Sequence, residues 1–321
     1  MSDHPQRIAV TGASGYIGGK LVRRLEREHR IERILAVDVR PLPYAHSDKV
    51  VFLEQNVATP STEAFRSNGI EVVVHLAFIL KPSRDRAAVR YANVVGTESV
   101  LVGCAEAEVG RMVYLSSTSV YGAHADNPVM LSEDDQPRPI QRFEYSQDKL
   151  AAESLIKVFT QLKEGFQSTI LRACPVVGPG ADNFIARAFL KRFLVAVRGT
   201  DPPMQLLHED DVTEVLACCT LNDIPGLYNV ASDGEVRWSE MAAALGRKVV
   251  RLPAPLLYAA TEAAWAMRLQ SDSPSNGLDF IRYRWTASAE KFIRATGLEL
   301  KYSSSEAWEQ FAQGHRAQAA R

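Results

Sequence analysis

Short apolar runs alternate with amphipathic segments through the first half of the chain. The runs are rich in β-branched residues, and they lie at Arg7–Thr11, Arg33–Asp38, Val72–Leu76, Met112–Ser116 and Ser168–Arg172. Segments with apolar residues at helical spacing separate several of them, at Tyr16–His29, Ala87–Ala107 and Ser146–Lys163. Buried strands that alternate with helices predict an α/β fold, with a doubly wound parallel sheet covered on both faces.

This alternation ends after Arg172, where proline and glycine cluster between residues 175 and 180. Helices and irregular loops are predicted beyond that point, and the apolar run Leu227–Val230 is expected to return to the sheet. We therefore expect a sheet domain over residues 1–172, with a return segment at about 206–231. Residues 173–205 and 232–321 are expected to form a smaller, discontinuous C-terminal region that binds substrate.

The longest apolar stretch, Ala254–Leu269, is too short to span a bilayer and contains Glu262 and Arg268. It is expected to form a buried or lid-like helix. The first residues are polar and lead directly into a strand, which predicts no signal peptide and a cytoplasmic protein. With a net charge of −1, the chain gives no electrostatic reason to expect nucleic acid or a membrane surface as partner. A small-molecule substrate is expected instead.

The four cysteines are Cys104, Cys174, Cys218 and Cys219, which lie in apolar surroundings without Cys-x-x-Cys spacing. They are interpreted as buried thiols in a reducing compartment, not as disulfides or zinc ligands.

A glycine-rich turn, Thr11–Gly18 (TGASGYIG), joins the first strand to the first helix. Gly12 permits the turn, Gly15 allows close approach of a pyrophosphate, and Gly18 allows the helix to pack on the strand. Asp38 ends the second strand, where a carboxylate accepts hydrogen bonds from adenosine ribose, and Arg40 follows it. This constellation predicts a Rossmann dinucleotide site. Because Asp38 would repel the 2′-phosphate of NADP, the predicted cofactor is NAD.

Tyr145 and Lys149 are four residues apart, so they share one face at the start of a helix. Ser117 lies in a serine-rich segment at the end of a strand that borders the same crevice. Hydride transfer at a carbinol carbon requires matching proton transfer at its oxygen. A tyrosine whose pKa is depressed by a nearby ammonium and by the oxidised nicotinamide is suited to that task, and a serine hydroxyl can hold the substrate oxygen.

With these motifs in place, the sequence resembles an extended short-chain dehydrogenase/reductase of the NAD-dependent epimerase/dehydratase group. The matching elements are Thr11–Gly18, His75–Ala77, Asn93–Thr97, Ser116–Gly122, Tyr145–Lys149, Leu171–Gly180 and His208–Val212. The resemblance implies that Tyr145 is the catalytic acid/base, that Ser117 is its catalytic partner, and that Lys149 serves both Tyr145 and the nicotinamide ribose. It also implies further NAD-binding residues, namely Ser14, Tyr16, Ile17, Asn56, Val57, Leu76, Ala77, Phe78, Asn93, Ser116, Pro175 and Val176. Family members often pair two helices in a four-helix interface, which implies a homodimer through the segments Ala87–Ala107 and Ser146–Lys163.

Several positions depart from the family pattern. Pro175 replaces an asparagine that contacts nucleotide-sugar substrates, and Met204–Leu207 lacks the arginine often found there. Asn56 replaces an aspartate that contacts adenine. These changes favour a smaller or less charged substrate than a nucleotide-diphosphate sugar. Thr118 and Ser119 replace the acid pair of a dehydratase, so dehydration is disfavoured.

His75, at the end of a buried strand, is interpreted as packing beneath the cofactor. No metal site is expected, because His208, Asp210 and Asp211 have no further ligand at metal-site spacing. The predicted function is NAD-dependent hydride transfer at a secondary alcohol or ketone. The alternative enzymatic function is that of a nucleotide-sugar epimerase that recycles bound NAD. A catalytically silent NAD-binding regulator is the alternative of another class, although Ser117, Tyr145 and Lys149 argue against it.

Overall fold

A computed structural model describes residues 6–81, 83–181, 184–270 and 273–319. Its centre is a seven-stranded sheet in which every neighbouring pair of strands is parallel. In chain order these strands are β1 (Gln6–Thr11), β2 (Ile31–Asp38), β3 (Val50–Glu54), β4 (Val72–His75), β5 (Arg111–Ser117), β6 (Gln167–Ala173) and β11 (Gly226–Val230). Six further strands form two-stranded pairs outside the sheet: β7 (Val176–Val177), β8 (Phe193–Val197), β9 (Pro203–Met204), β10 (Leu207–His208), β12 (Val236–Arg237) and β13 (Lys248–Leu252).

The spatial order β3-β2-β1-β4-β5-β6-β11 reverses direction between β1 and β4. Ligands of doubly wound sheets bind beyond the carboxyl ends of the strands at such a reversal. Next to this reversal, Thr11 of β1 lies opposite His75 of β4 in the sheet, and His75 lies opposite Tyr114 of β5. The order therefore brings the predicted site residues to one crevice.

The described helices cover both faces of the sheet and build the C-terminal part. They are α1 (Tyr16–Glu26), α2 (Thr62–Ser67), α3 (Arg86–Arg90), α4 (Gly96–Glu106), α5 (Glu144–Leu162), α6 (Phe184–Phe189), α7 (Glu209–Leu221), α8 (Trp238–Ala244), α9 (Ala254–Ala266), α10 (Glu290–Thr296) and α11 (Ser304–Ala319). A π-helical turn, Tyr91–Val95, joins α3 to α4, and 3-10 turns lie at Thr118–Tyr121 and Ser275–Ile281.

The apolar face of each covering helix packs on the buried strands. Leu21 and Leu25 of α1 share a core with Val215 of α7 and with Ile8 and Val10 of β1. On the opposite face, residues of α2, α4 and α5 pack against Ala9 and Val37. This arrangement confirms the predicted α/β fold with its doubly wound parallel sheet. The strand predicted at Leu227–Val230 also lies in the sheet, where β11 pairs with β6.

Two elements differ from the sequence-based expectation. Strand β3 was not predicted, although it adds the edge that leads to Asn56. The apolar segment Ala254–Leu269 was expected to form a buried or lid-like helix; Leu257 and Trp265 are the only buried residues of α9, so the buried alternative is wrong and the lid-like one stays a prediction. A second hydrophobic core lies in the C-terminal part, and it contains Trp238, Trp285 and Trp308.

Candidate active site

The glycine-rich turn fits closely against the end of β4. Gly12 has φ of +69°, which favours glycine, and a Cβ on it would lie 2.7 Å from the backbone nitrogen of Ala77. A Cβ on Gly18 would lie 2.1 Å from the carbonyl oxygen of Gly12. Gly15 caps α1 without any side-chain hydrogen bond to the helix. These positions leave room only for hydrogen, and they set the path of the turn.

The N-terminus of α1 is suited to bind an anion. Its first turn contains no acidic residue, and the backbone of Tyr16, Ile17 and Gly18 opens the helix. The first N–H groups of a helix have no partner within it and lie at the positive end of its dipole. This terminus can therefore hold a pyrophosphate.

Asp38 is buried at the end of β2, beside the turn. Its carboxylate accepts hydrogen bonds from the backbone N–H of Ser14 at 3.0 Å and of Arg40 at 3.1 Å. A carboxylate has about four acceptor positions, so capacity remains for ribose hydroxyls. The Ser14 hydroxyl donates to the Arg40 carbonyl, which ties the loop after β2 to the turn. The Arg40 guanidinium is exposed and lies 3.9 Å from Asp38.

The neighbouring strand ends complete the cradle. Asn56 follows β3 and caps its own turn by accepting from the Ala58 N–H, and Val57 packs against Gly96. Leu76 and Ala77 follow β4, and their N–H groups donate to the hydroxyl of Thr11. The structure thus brings these predicted residues to the same edge of the sheet.

A chain of buried hydrogen bonds runs beneath the cradle. The Thr11 hydroxyl lies 2.7 Å from His75 Nδ1, and His75 Nε2 lies 3.1 Å from the Thr97 hydroxyl, which donates to the Asn93 carbonyl. Because the Asn93 carbonyl only accepts, His75 must donate from Nε2 and accept at Nδ1. Burial lowers the pKa of His75 to about 3, and the charge of Lys149 adds to the effect. His75 is therefore neutral and packs beneath the crevice.

Asn93 lies in the π-helical turn, a feature frequent at functional sites. Its side chain accepts from the Ile79 N–H at 2.7 Å and donates to the Ile79 carbonyl and to Asp148. Arg90 also binds Asp148, at 2.9 Å. Asn93 thus holds the loop that carries Phe78, so its side chain is committed to protein groups.

Tyr145 and Ser117 are brought together by the first turn of α5 and the end of β5. Burial raises the pKa of Tyr145 to about 12, and a hydrogen bond with Ser117 acts in the opposite direction. The Ser117 oxygen in turn accepts from the Ser119 N–H at 3.2 Å. Phe78 and Phe143 contact the Tyr145 ring edge to face.

Lys149 lies one helical turn after Tyr145 and is buried. Its Nζ donates to the Leu115 carbonyl at 2.6 Å and lies 3.7 Å from the centre of the Phe78 ring. Burial lowers the pKa of Lys149 to about 7, with Glu153 opposing the change. The sequence predicted that this ammonium, together with oxidised nicotinamide, depresses the pKa of Tyr145. Without the cofactor, burial raises the pKa of Tyr145 to about 12, so the predicted effect of the two positive charges together stays a prediction.

A buried ion pair that the sequence analysis missed lies behind these residues. Arg172 of β6 binds Glu153 of α5 at 2.7 Å, and both side chains are almost fully buried. The Ser116 hydroxyl donates to the same carboxylate at 2.6 Å, so its hydrogen is already bonded to a protein group. Glu153 lies four residues after Lys149, on the same helix face, and that spacing was the available signal.

Other predicted residues occupy the flanks of the crevice. Pro175 and Val176 follow β6, and the Pro175 carbonyl accepts from the Leu207 N–H, which links β7 to β10. The Tyr16 hydroxyl donates to Glu209, whose carboxylate also binds Lys20 at 2.9 Å and the Gly180 N–H. His208 caps α7.

Within the described residues, no three His, Cys, Asp or Glu side chains are grouped to hold a metal ion. All four cysteines are free thiols. Nor does any described helix combine the length and the apolar character needed to cross a bilayer.

A cleft opens in front of Tyr145. Its lining combines the apolar residues Ile79, Leu80, Val89, Phe143 and Pro274 with the polar residues Lys81 and Ser83. Arg86 and Glu144 also line it and pair with each other at 3.0 Å. Tyr145 lines this cleft, so a substrate bound there would lie beside its side chain. The arrangement is suited to acid/base chemistry at a substrate oxygen.

Comparison with known proteins agrees with this geometry. The family model described as NAD dependent epimerase/dehydratase matches residues 8–231. An uncharacterized protein of Mycobacterium tuberculosis is 30% identical over 262 residues, which cover 78% of this chain and 70% of that protein. GDP-6-deoxy-D-mannose reductase of Pseudomonas aeruginosa is 30% identical over 252 residues, covering 74% of this chain and 78% of the reductase.

Solved structures share the fold over nearly the whole chain. MoeE5 in complex with UDP-glucuronic acid and NAD superposes with a TM-score of 0.76 at 26% identity, covering 97% of this chain and 99% of MoeE5. UDP-glucose 4-epimerase of Thermotoga maritima gives a TM-score of 0.75 at 18% identity, covering 98% and 100% of the two chains. The chain therefore belongs to the NAD dependent epimerase/dehydratase family, as its motifs predict, and NAD is the cofactor of that family.

Proposed function

We propose that the protein catalyses NAD-dependent hydride transfer at a secondary alcohol or ketone carbon, with Tyr145 as the acid/base. The observation that carries this proposal is the position of Tyr145 in the first turn of α5, one turn before the buried Lys149, with the Phe78 ring in contact with both side chains. A silent NAD-binding regulator has no need of such a group.

The residues of the cradle fit NAD, because the α1 terminus offers free N–H groups and Asp38 offers a carboxylate beside them. When bound, NAD accepts a hydride from the carbinol carbon or returns it to a carbonyl carbon. Tyr145 moves the accompanying proton, taking it from the alcohol oxygen in oxidation and giving it to the carbonyl oxygen in reduction. Ser117 holds that oxygen against the phenol. Lys149 stabilises the phenolate by its charge.

The protonation state of Tyr145 differs between the two directions of the proposed reaction. With a pKa raised to about 12, Tyr145 is a protonated phenol at neutral pH and is ready to act as an acid. Oxidation requires the phenol to lose its proton first, which the positive charge of oxidised nicotinamide assists.

A nucleotide-sugar epimerase that recycles bound NAD is a second candidate, supported by the likeness to MoeE5, which was crystallised with UDP-sugars and NAD. Against it, Met204–Leu207 carries no cation and Pro175 offers no amide for a diphosphate.

The test is a single-turnover measurement on wild-type protein and on Tyr145→Phe. The first step measures reduction of added NAD with a panel of secondary alcohols and UDP-sugars. On the best substrate, Tyr145→Phe should lower the single-turnover rate by about 100-fold or more, because general acid/base catalysis contributes 10²- to 10⁴-fold. NAD affinity should change by less than about tenfold, since the ring remains. Tyr91→Phe is the matched control, because Tyr91 is exposed on the π-helical turn.

A wild-type single-turnover rate in Tyr145→Phe would exclude Tyr145 as the acid/base. NAD that stays bound while a UDP-sugar is interconverted would identify the epimerase. Tight NAD binding without turnover of any carbinol would favour the regulator.

A further inference from the structure

Helix α9 has its apolar side turned to solvent. The outward side chains are Leu256, Ala259, Ala260, Ala263 and Met267, spaced by three, four, seven and eleven residues from Leu256. That spacing defines one helix face. Leu256 is 55% exposed and Met267 63%, and Leu269, just after the helix, is 74% exposed. No polar side chain interrupts this face, which we call the α9 face.

The inward side of α9 carries its polar groups. Tyr258 donates to Asp279, and Glu262 accepts from the Ser275 N–H at 3.1 Å and from the Ser275 hydroxyl at 2.7 Å. Arg142 pairs with the other oxygen of Glu262. Only Leu257 and Trp265 are buried apolar anchors. Helix α9 therefore carries apolar residues on both sides, and the bonds to Asp279 and Ser275 fix which side faces out.

Exposed cations flank the α9 face along the chain. Arg251 and Lys248 lie in β13, which leads directly into α9, and Arg268 follows the helix. Arg192 and Arg198 lie at the ends of β8, which pairs with β13. Among the described residues, none of these five side chains has an acidic partner within ion-pair distance. The only acidic residue between positions 245 and 270 is Glu262, which Arg142 neutralises.

These observations distinguish between possible occupants. Pairing of two α9 helices from two copies, parallel or antiparallel, would set Arg251 and Arg268 against cations of the other copy. Like charges opposed in this way disfavour association. A protein interface also carries about one hydrogen bond per 100–200 Å², whereas the α9 face offers no donor or acceptor side chain. An apolar stripe with flanking arginine and lysine matches a helix that lies in the interface of an anionic bilayer.

We propose that the α9 face docks the protein on the surface of an anionic lipid bilayer. Leu256, Met267 and Leu269 enter the boundary between headgroups and acyl chains, and Arg251 and Arg268 contact lipid phosphates. The net charge of −1 predicted no membrane partner, but that average hides the local excess of cations around α9. Docking of this kind does not depend on the proposed reaction.

Docking by α9 would also orient the cleft. Glu262 binds Ser275, and the neighbouring Pro274 lines the cleft in front of Tyr145. Arg84 stacks on Trp265 at 4.9 Å, and Ile79 and Leu80 are exposed at the same cleft. The cleft mouth would therefore lie close to the lipid surface.

The test is flotation of the full-length protein with two kinds of vesicle, phosphatidylcholine alone and phosphatidylcholine mixed with phosphatidylglycerol. We expect binding to the mixed vesicles, weakened by added NaCl because salt screens the contribution of the cations. Leu256→Glu and Met267→Glu should each lower the partition coefficient between vesicles and water by about tenfold or more. Each removes an apolar side chain that enters the bilayer in the proposed docking. Arg251→Gln and Arg268→Gln should each lower it by about fivefold on mixed vesicles only.

Val129→Glu is the matched control, because Val129 is 70% exposed and lies outside α9. It should bind vesicles as the wild type does. Equal thermal unfolding temperatures of all variants will show that the fold is intact. Failure of the wild type to bind mixed vesicles, or wild-type binding by Leu256→Glu, would overturn the proposal. So would a lower solution mass of Leu256→Glu by light scattering, which would make the α9 face an interface between copies.

Discussion

At the scale of single residues, the pKa values of Tyr145 and Lys149 are both shifted in the direction that favours the neutral side chain. Burial raises the pKa of Tyr145 to about 12 and lowers that of Lys149 to about 7. In the proposed reaction these two groups carry opposite charges, so burial opposes the charged form of each. A bound nicotinamide cation and a substrate oxygen change that balance.

The raised pKa of Tyr145 predicts opposite pH profiles for the two directions of the reaction. Oxidation needs the phenolate, whose fraction rises about tenfold per pH unit below the pKa. Reduction needs the phenol, which is the dominant form throughout that range. At saturating NAD and alcohol, we expect kcat for oxidation to rise with pH between about 6 and 9. The kcat for ketone reduction should stay flat or fall. An oxidation profile without slope in single-turnover measurements would contradict this assignment.

The lowered pKa of Lys149 predicts a variant that is more stable but inactive. In the unfolded chain the lysine keeps an ordinary pKa of 10.5, so burial of its ammonium costs stability in the folded protein. Lys149→Met should raise the free energy of unfolding of the cofactor-free protein by about 1 kcal/mol at pH 6. The gain should shrink as pH rises from about 7 to 10.5, because the folded protein then loses that proton before the unfolded chain does.

Urea denaturation at several pH values measures the effect of Lys149→Met. Single-turnover rates should fall in the same variant, since the charge beside Tyr145 is lost. Lower stability at pH 6 would mean that the hydrogen bond from Lys149 to Leu115 outweighs the cost of burial.

At the scale of elements, helix α5 carries the two proposed catalytic residues and the buried Glu153 on one face. Tyr145, Lys149 and Glu153 follow one another at intervals of four residues, and Glu153 joins the helix to β6 through Arg172. Local spacing predicted Tyr145 and Lys149 correctly as neighbours. The partner of Glu153 was not predictable, because Arg172 lies 19 residues away in another element.

The Glu153–Arg172 pair predicts a strongly non-additive mutant cycle. Arg172→Leu leaves a buried carboxylate without its partner and should cost about 3–5 kcal/mol of unfolding free energy. Glu153→Leu should cost a similar amount by leaving the guanidinium unpaired. The double variant should cost less than either single one, since no uncompensated charge remains. Guanidinium chloride denaturation measures all three variants, and additive losses would contradict the pairing.

At the scale of the whole molecule, the sheet and its crevice were largely predictable, because buried parallel strands give continuous apolar runs. Strand β3 was missed although Val50–Leu53 is such a run. The exposure of α9 was not predictable, since an apolar segment does not reveal whether its partner is another part of the chain. The substrate contacts remain proposals for the same reason, because they depend on loops distant in sequence.

Exposed apolar residues on the helices that flank the sheet support the predicted homodimer. Tyr91 and Val102 are exposed on the segment that contains α3 and α4, and Val158 and Leu162 are exposed on α5. We expect a dimer mass by light scattering at micromolar concentration, and a monomer for the combined Val158→Glu and Leu162→Glu variant. Val129→Glu should remain dimeric. A monomeric wild type would exclude the predicted dimer.

The hydrogen bonds from Thr11 through His75 to Thr97 all run in one direction, which restricts how these positions can change. Each hydroxyl or ring nitrogen donates to the next group, and the Asn93 carbonyl ends the series because it has no hydrogen to return. Replacement of any single member by an apolar residue leaves a buried neighbour without its bond, at a cost of about 1–3 kcal/mol. Thr11, His75 and Thr97 are therefore free to vary only as a group, although they lie on three separate segments of the chain.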